Sequence, residues 1–281
     1  MSSHETLTEI GKSFQTKTIT NGQDESFSYL VANEAAQKVA ILIHGVTGNK
    51  LDMVVLGREY ARRGYIVYAP DLPGHGSAPV LEALTFHDLG DWLHRFIAAL
   101  AVQPDLIVGN SFAAAICYDF AQQGYLADTT HLILACPTPD IAWSSRALRR
   151  AGGSFPSRFA TKSYNSKPAI KARVAYLSKS EDPSARQWLV ESEYHKIPFI
   201  EASVGNKLSM LLETHNPYMG LLLPDHVQRQ ITIVLGKKDN VVTKKSLDIL
   251  KKILPRARLV MVPNVGHILH FEAYKSLSDI G

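Results

Sequence analysis

Three large apolar residues, Leu106-Ile107-Val108, stop abruptly at Gly109-Asn110-Ser111-Phe112-Ala113, and Ala114 to Gln122 then reads as a helix. The apolar run suits a strand buried on both faces. Strand, sharp turn and helix with a serine at the apex is the setting of a nucleophile elbow. Such a turn strains the serine backbone and crowds its neighbours, so the residues two before and two after must be small. Here they are Gly109 and Ala113; glycine at both places is the usual pattern, and Ala113 departs from it. The same five residues also fit a serine that caps a helix after a strand, so the remainder of the chain has to choose.

Taken in order, that remainder supplies more strands and helices. Residues 12–20 (KSFQTKTIT) alternate and carry threonines, which reads as an edge strand. Phe27–Val31, after the turn signal Asn21-Gly22, reads as its antiparallel partner. The runs Val39–Ile43, Tyr65–Ala69, His131–Ala135, Ile231–Leu235 and Leu259–Val262 read as buried strands. Helical spacing lies between them, at about 51–63, 86–101 and 243–253, and again from Leu269. Alternation of this kind predicts a mostly parallel central sheet flanked by helices. It stops at Pro137 and resumes near Ile231, and the interval carries prolines at Pro156, Pro168, Pro183, Pro198 and Pro217. Residues 138–222 therefore read as a lid-type insertion into a core formed by 1–137 and 223–281.

Composition narrows the class. With 281 residues, 46% of them hydrophobic, the chain can bury a large core. A net charge of +4 with no aromatic-basic interleaving does not call for nucleic acid. The N-terminus, MSSHETLTEIGKSFQ, lacks the apolar centre of a secretory signal. No stretch approaches the roughly 20 apolar residues of a membrane helix, so no stable membrane insertion is expected. Cys117 and Cys136 read as buried reduced thiols, which suits a cytoplasmic protein. No Cys/His cluster has metal-ligand spacing. GVTGNK lacks the Gly-Lys-Ser/Thr ending of a phosphate loop. No metal and no cofactor are expected.

Three loops follow three buried strand ends: one presents Ser111, the second contains Asp239 in GKKDN, the third His267 in PNVGH. In open parallel sheets ligand sites form at the carboxyl ends of the strands. A serine, an acid and a histidine placed there form the set that an activated nucleophile needs.

At this point the chain resembles the α/β-hydrolase fold superfamily, in its lid-bearing form, which includes small esterases, lactonases, monoacylglycerol lipases and carbon–carbon bond hydrolases. The residues that carry the resemblance are His44-Gly45, the DLPGHGSA loop at 71–78, the GNSFA elbow, GKKDNVV at 236–242 and NVGHILHFE at 264–272. The lid matches no group that can be named. The resemblance implies Ser111 as nucleophile, His267 as base and Asp239 as orienting acid. It also implies backbone N–H donors at Phe112 and Val46 for the developing oxyanion. A serine at the elbow argues against epoxide hydrolases and haloalkane dehalogenases, which place an aspartate there.

Other residues carry weaker readings. Asp140, after the HLILA strand, is the alternative acid, and His270 the alternative base. His44 reads as shaping the oxyanion loop, and His75 and Asp71 as holding the DLPGHG loop. Gly45, Thr47 and Asn110 line the expected mouth. Residues 138–222 contain twelve Lys/Arg against seven Asp/Glu and many aromatics. Trp143 and Trp188 are the lid aromatics expected to touch substrate. The expected activity is hydrolysis of a carboxylic ester in a small-molecule substrate, or of a lactone or thioester, through an acyl-enzyme. Carbon–carbon hydrolysis of a dienoic acid, or ligand binding without turnover on the same fold, stay open, as does a homodimer.

Overall fold

The computed structural model describes residues 5–80, 85–140, 157–198, 208 and 210–281. Eight strands form one sheet in the order β1-β2-β4-β3-β5-β6-β7-β8. Their ranges are β1 Gln15–Thr20, β2 Ser26–Ala32, β3 Lys38–Ile43, β4 Tyr65–Pro70, β5 Leu106–Asn110, β6 His131–Ala135, β7 Ile231–Gly236 and β8 Arg258–Val262. β1 and β2 pair antiparallel, β2 pairs antiparallel with β4, and every later pairing is parallel. Of the runs expected as buried strands, β5 and β7 are buried at every residue, because helices cover both faces, but Leu259–Val262 is not: β8 closes one edge of the sheet and is mostly exposed. β1 alternates between exposed and half-buried positions and closes the other edge.

The helices are α1 Leu7–Gly11, α2 Val54–Arg62, α3 Phe86–Leu100, α4 Phe112–Gln122, α5 Ser157–Tyr164, α6 Lys167–Leu177, α7 Pro183–Lys196, α8 Asp225–Arg229, α9 Lys244–Ile253, α10 Leu269–Glu272 and α11 Tyr274–Ser278. The apolar faces of α3, α4 and α9 close one core layer with Ile41, Ile107 and Ile233 of the sheet. Those of α1, α2, α10 and α11 close the other, with Ala40, Leu42 and Val108. Side chains of successive strand residues point to opposite faces, which is why neighbours such as Ala40 and Ile41 serve different layers.

Two local features go beyond the sequence expectation. The N-terminal stretch begins with α1, whose capping box joins Thr6 and Glu9. The helix expected at about 51–63 starts as a 3-10 turn, Lys50–Met53, before α2. The segment between β6 and β7 contributes to both layers: Ile170, Val174 and Trp188 pack with the α2 side, and Leu211, Leu212 and Tyr218 with the α4 side. Both of its described arms are therefore anchored to the core. Among the described residues no helix is long and apolar enough to cross a membrane.

Candidate active site

The elbow sits at the carboxyl end of β5. Ser111 has φ 55° and ψ −108°, a conformation L-residues rarely adopt. Strain of this kind costs on the order of 1–3 kcal/mol and persists only where the surroundings fix it. Here the Ser111 N–H donates to Ala135 O at 2.7 Å, extending the β5–β6 ladder into the turn, and Ser111 O accepts from Ala114 N at 3.0 Å, starting α4. The small residue two before the serine is required by contact: a Cβ on Gly109 would lie 2.6 Å from Ala113 O and 2.7 Å from Cys117 Sγ.

The acid and base loops are held together by backbone. A Cβ on Gly236 would lie 2.2 Å from Gly266 O, so only glycine lets the end of β7 approach the His267 loop. Lys237 N donates to Val262 O at 2.8 Å and Lys238 N to Val265 O at 3.0 Å. This brings His267 between its partners. His267 Nδ1 is 2.8 Å from Asp239 Oδ2, and Nε2 is 2.8 Å from Ser111 Oγ. An ionised carboxylate only accepts, so Nδ1 carries the proton and Nε2 is left to accept from the serine hydroxyl. Asp239 Oδ1 accepts from Val241 N at 2.6 Å and Val242 N at 3.1 Å. Burial opposes charge on Asp239, but the His267 imidazole and these hydrogen bonds outweigh it and hold the carboxyl below its usual range.

On the other side of Ser111 lies the loop after β3. A Cβ on Gly45 would come 3.5 Å from Ser111 Cβ. Gly48 N donates to Gly45 O at 3.0 Å, closing a turn over Val46 and Thr47, with Thr47 at φ 64°. His44 is buried beneath it. Its Nε2 accepts from Leu72 N at 3.0 Å, so its Nδ1 carries the proton and donates to Gly45 O at 2.8 Å. Burial drives its pKa down and keeps it neutral. The DLPGHG loop is pinned through Asp71, which pairs with Lys50 Nζ and accepts from Lys50 N at 2.9 Å and Ser77 N at 3.1 Å. Asn110 is buried next to the serine, and its Oδ1 has no partner among the described residues. Phe112 opens α4 and packs its ring on Phe86 at 5.1 Å.

Several expected residues lie elsewhere. Asp140 binds Lys245 Nζ at 2.9 Å and lies at the start of α9, so the carboxylate bonded to His267 is that of Asp239. His270 is fully buried and bonded to neither Ser111 nor Asp239; its Nδ1 has no partner among the described residues, and burial pushes its pKa down to about 4. Trp188, expected to touch substrate, packs with the core layer on the α2 side. Its indole N–H donates to Glu5 O at 2.8 Å, and its ring packs on Tyr274 at 5.7 Å and Phe271 at 6.5 Å. The apolar character that made it look like substrate surface is used in packing. Trp143 lies outside the described residues.

Sequence reasoning missed two neighbours of this site. Cys136, at φ 49° just past β6, places its thiol so that Sγ, an Asp239 oxygen and a His267 nitrogen lie within 4.8 Å of one another. Burial first, and the adjacent Asp239 charge second, push that thiol far up, so it stays protonated. Glu272 belongs to the NVGHILHFE stretch, yet its task was not apparent. Its Oε2 accepts from Gly266 N at 2.5 Å, and its Oε1 accepts from Ser180 N at 2.5 Å and Ser178 Oγ at 3.1 Å. It ties the His267 loop to the end of α6, where His267 N also donates to Leu177 O at 3.2 Å.

The fold agrees with the comparisons. A family model for the α/β hydrolase family matches residues 40–279, and the chain belongs to that family. It is similar to Lipase 1 of Psychrobacter immobilis, 25% identical over 94% of this chain and 81% of the relative. It is also similar to Lipase 3 of Moraxella sp. (strain TA144), 23% identical over 94% of this chain and 82% of the relative. Among solved structures, an esterase from Exiguobacterium antarcticum superposes with a TM-score of 0.75 at 14% identity, covering 95% of this chain and 97% of its own.

Proposed function

We propose that the protein is a serine hydrolase that cleaves a carboxylic ester through an acyl-enzyme. The observation that carries this reading is the unbroken chain of two 2.8 Å contacts from Ser111 Oγ through the His267 ring to Asp239. A serine hydroxyl is a weak nucleophile at neutral pH and needs a base within hydrogen-bond reach. His267 Nε2 takes the Ser111 proton as Oγ attacks the ester carbonyl, and returns it to the leaving alcohol. Water then attacks the acyl-enzyme with His267 again as base. Asp239 holds the imidazole tautomer and stabilises the imidazolium.

The oxyanion that forms at each attack needs donors already in place. The N–H groups of the first turn of a helix have no partner within it, and Phe112 opens α4. The second donor is the Val46 N–H, on the turn that lies against Ser111. Losing one such donor costs roughly 3–4 kcal/mol of transition-state stabilisation. Two lipases among the relatives support an ester over a carbon–carbon bond. Residues 138–222 form the lid of this reading, with the substrate held between it and the elbow.

The test is labelling by a fluorophosphonate followed by rates on p-nitrophenyl esters of increasing acyl length. Labelling at Ser111 with turnover of at least one ester is expected. An unlabelled Ser111 in folded protein would overturn the reading, and labelling without turnover of any ester, lactone or thioester would favour a binding role.

A further inference from the structure

We infer that Asp52 is a positioning residue through which the segment between β6 and β7 holds the Gly45–Gly48 turn, and with it the Val46 N–H, against Ser111. The inference rests on the ester-hydrolase reading above. Asp52 stands in the 3-10 turn Lys50–Met53 and is 4% exposed. It touches the oxyanion turn from below. A Cβ on Gly48 would lie 2.8 Å from Asp52 Oδ2 and equally 2.8 Å from His44 Nδ1. The absence of a side chain at Gly48 is what lets the turn settle onto this carboxylate and the imidazole beside it. The turn's other end, Gly45, is the part that reaches Ser111.

From above, both oxygens of Asp52 are held by α7. Ser192 Oγ donates to Oδ1 at 2.6 Å across 140 residues of sequence, and Lys196 Nζ lies 3.0 Å from Oδ2. Lys196 is itself 5% exposed and has Glu193 Oε1 at 3.6 Å, and Glu193 is in turn gripped by Arg173 Nε at 2.9 Å. Two acids and two bases thus alternate, with Asp52, Lys196 and Glu193 buried and Arg173 partly exposed at the end of the series. Burial disfavours charge on Asp52 and Lys196 alike, but their mutual attraction outweighs it, and both stay ionised.

Such a pair does not separate freely. A buried carboxylate stripped of its partners is strongly unfavourable, because water is not there to replace them. Lifting α7 would remove the Ser192 and Lys196 contacts together. Seating of the insert and the resting position of the oxyanion turn are therefore one event. The contacts of α6 act in the same sense on the other two loops. Leu177 O and Glu272 join it to the His267 loop, and Tyr176 Oη donates to Asn240 O at 2.8 Å beside Asp239. This part of the insert is a brace for the catalytic loops rather than a swinging cover.

The experiment compares wild type with Ser192→Ala, Lys196→Met, Asp52→Asn and the double variant Asp52→Asn/Lys196→Met. It reads kcat and KM on a small p-nitrophenyl ester, the Ki of an arylboronic acid that forms a tetrahedral adduct at the serine, and the thermal midpoint. Misplacement of about 1 Å costs on the order of 100-fold in rate, so Lys196→Met is expected to lower kcat between about 10- and 100-fold. The boronate Ki should rise by a similar factor, while KM stays within about twofold. Ser192→Ala, which leaves the charge pair intact, should show the same pattern on a smaller scale. The double variant leaves no lone buried charge, so it should regain thermal stability yet keep a low kcat. Recovery of kcat together with stability, or a lowered midpoint with unchanged kcat, would overturn the inference. A wild type that hydrolyses no ester would instead remove the reading on which it rests.

Discussion

His267 Nε2 and Ser111 Oγ are 2.8 Å apart, although 156 residues separate them in the chain. A contact of this length aligns the imidazole lone pair with the hydroxyl proton, and Ser111 is expected to react only through it. Ser111→Ala should abolish ester turnover with the fold retained, as read by circular dichroism and by p-nitrophenyl ester assay. Triad members act as a unit, so adding His267→Ala to that variant should lower the rate hardly further. Residual turnover within about tenfold of wild type would exclude Ser111 as nucleophile, since loss of a triad serine typically costs about 10⁶.

Asp239, not Asp140, should behave as the acid. Asp239→Asn is expected to lower kcat by on the order of 10⁴ through loss of the correct tautomer. Asp140→Asn breaks a pair with the well-exposed Lys245 Nζ and should change kcat by less than about threefold, as exposed pairs contribute little. Steady-state kinetics of the two variants decides the matter, and the reverse ranking would move the acid to the β6 end.

Gly109→Ala should damage both stability and rate. The added Cβ would meet Ala113 O at 2.6 Å, and that atom belongs to the first turn of α4. Overpacking of this kind costs typically 1–3 kcal/mol, so about that loss is expected in urea unfolding. A displaced elbow should also slow phosphonate labelling of Ser111. A variant as stable and as reactive as wild type would show the elbow to be looser than its contacts imply.

Trp188→Ala should act on stability and not on substrate choice. The ring is packed against Tyr274 and Phe271 and is 4% exposed. Truncating a buried tryptophan costs about 3–5 kcal/mol, which thermal unfolding would register. Relative rates across an ester series should be unchanged. A shifted acyl-length profile without a lowered midpoint would return Trp188 to the substrate surface.

The fold should be acid-labile from below about pH 6.5. Burial pushes His75 down to about 3 and His270 down to about 4, so both are neutral in the folded protein near neutrality. The unfolded chain binds these protons first as pH falls, so stability declines through the interval from about 6.5 towards 4, by about 1.4 kcal/mol per pH unit for each group. Asp239, held below its usual range, works in the same direction at lower pH: its contribution is present above about 3.9 and is lost as pH falls further. Urea midpoints measured from pH 7.5 to 4.5 should fall monotonically, and His270→Leu should remove about one proton from the slope. A midpoint independent of pH in that interval would contradict the buried neutral imidazoles.

Much of this architecture is written locally. Runs such as Leu106–Val108, and Ile231–Leu235 with the single polar Thr232, specify strands covered on both faces, because their side chains are almost all apolar. The small residues at Gly109 and Ala113 mark the elbow, since the contact they relieve lies within the same turn. The loop with Asp239 follows from the same logic, as it closes the buried β7, whereas the His267 loop follows β8, an edge strand whose apolar residues are largely exposed. Local pattern also misleads. Trp188 is apolar for a reason of packing, and composition does not distinguish a residue that lines a pocket from one that fills a core.

What only the tertiary structure decided are relationships between distant segments. The sequence left two acids open, and the choice depends on which strand end the His267 loop meets, which the Gly236–Gly266 approach fixes. Asp52 and Lys196 are unremarkable as letters, one in a helix start and one at a helix end. Their pairing exists because the chain crosses from β6 to α7 and lays that helix over the loop after β3. The sequence determined where most strands, helices and tight turns fall, because those depend on near neighbours and on water. Which buried polar groups face one another depends on the sum of every crossover between them, and that sum is a property of the folded chain.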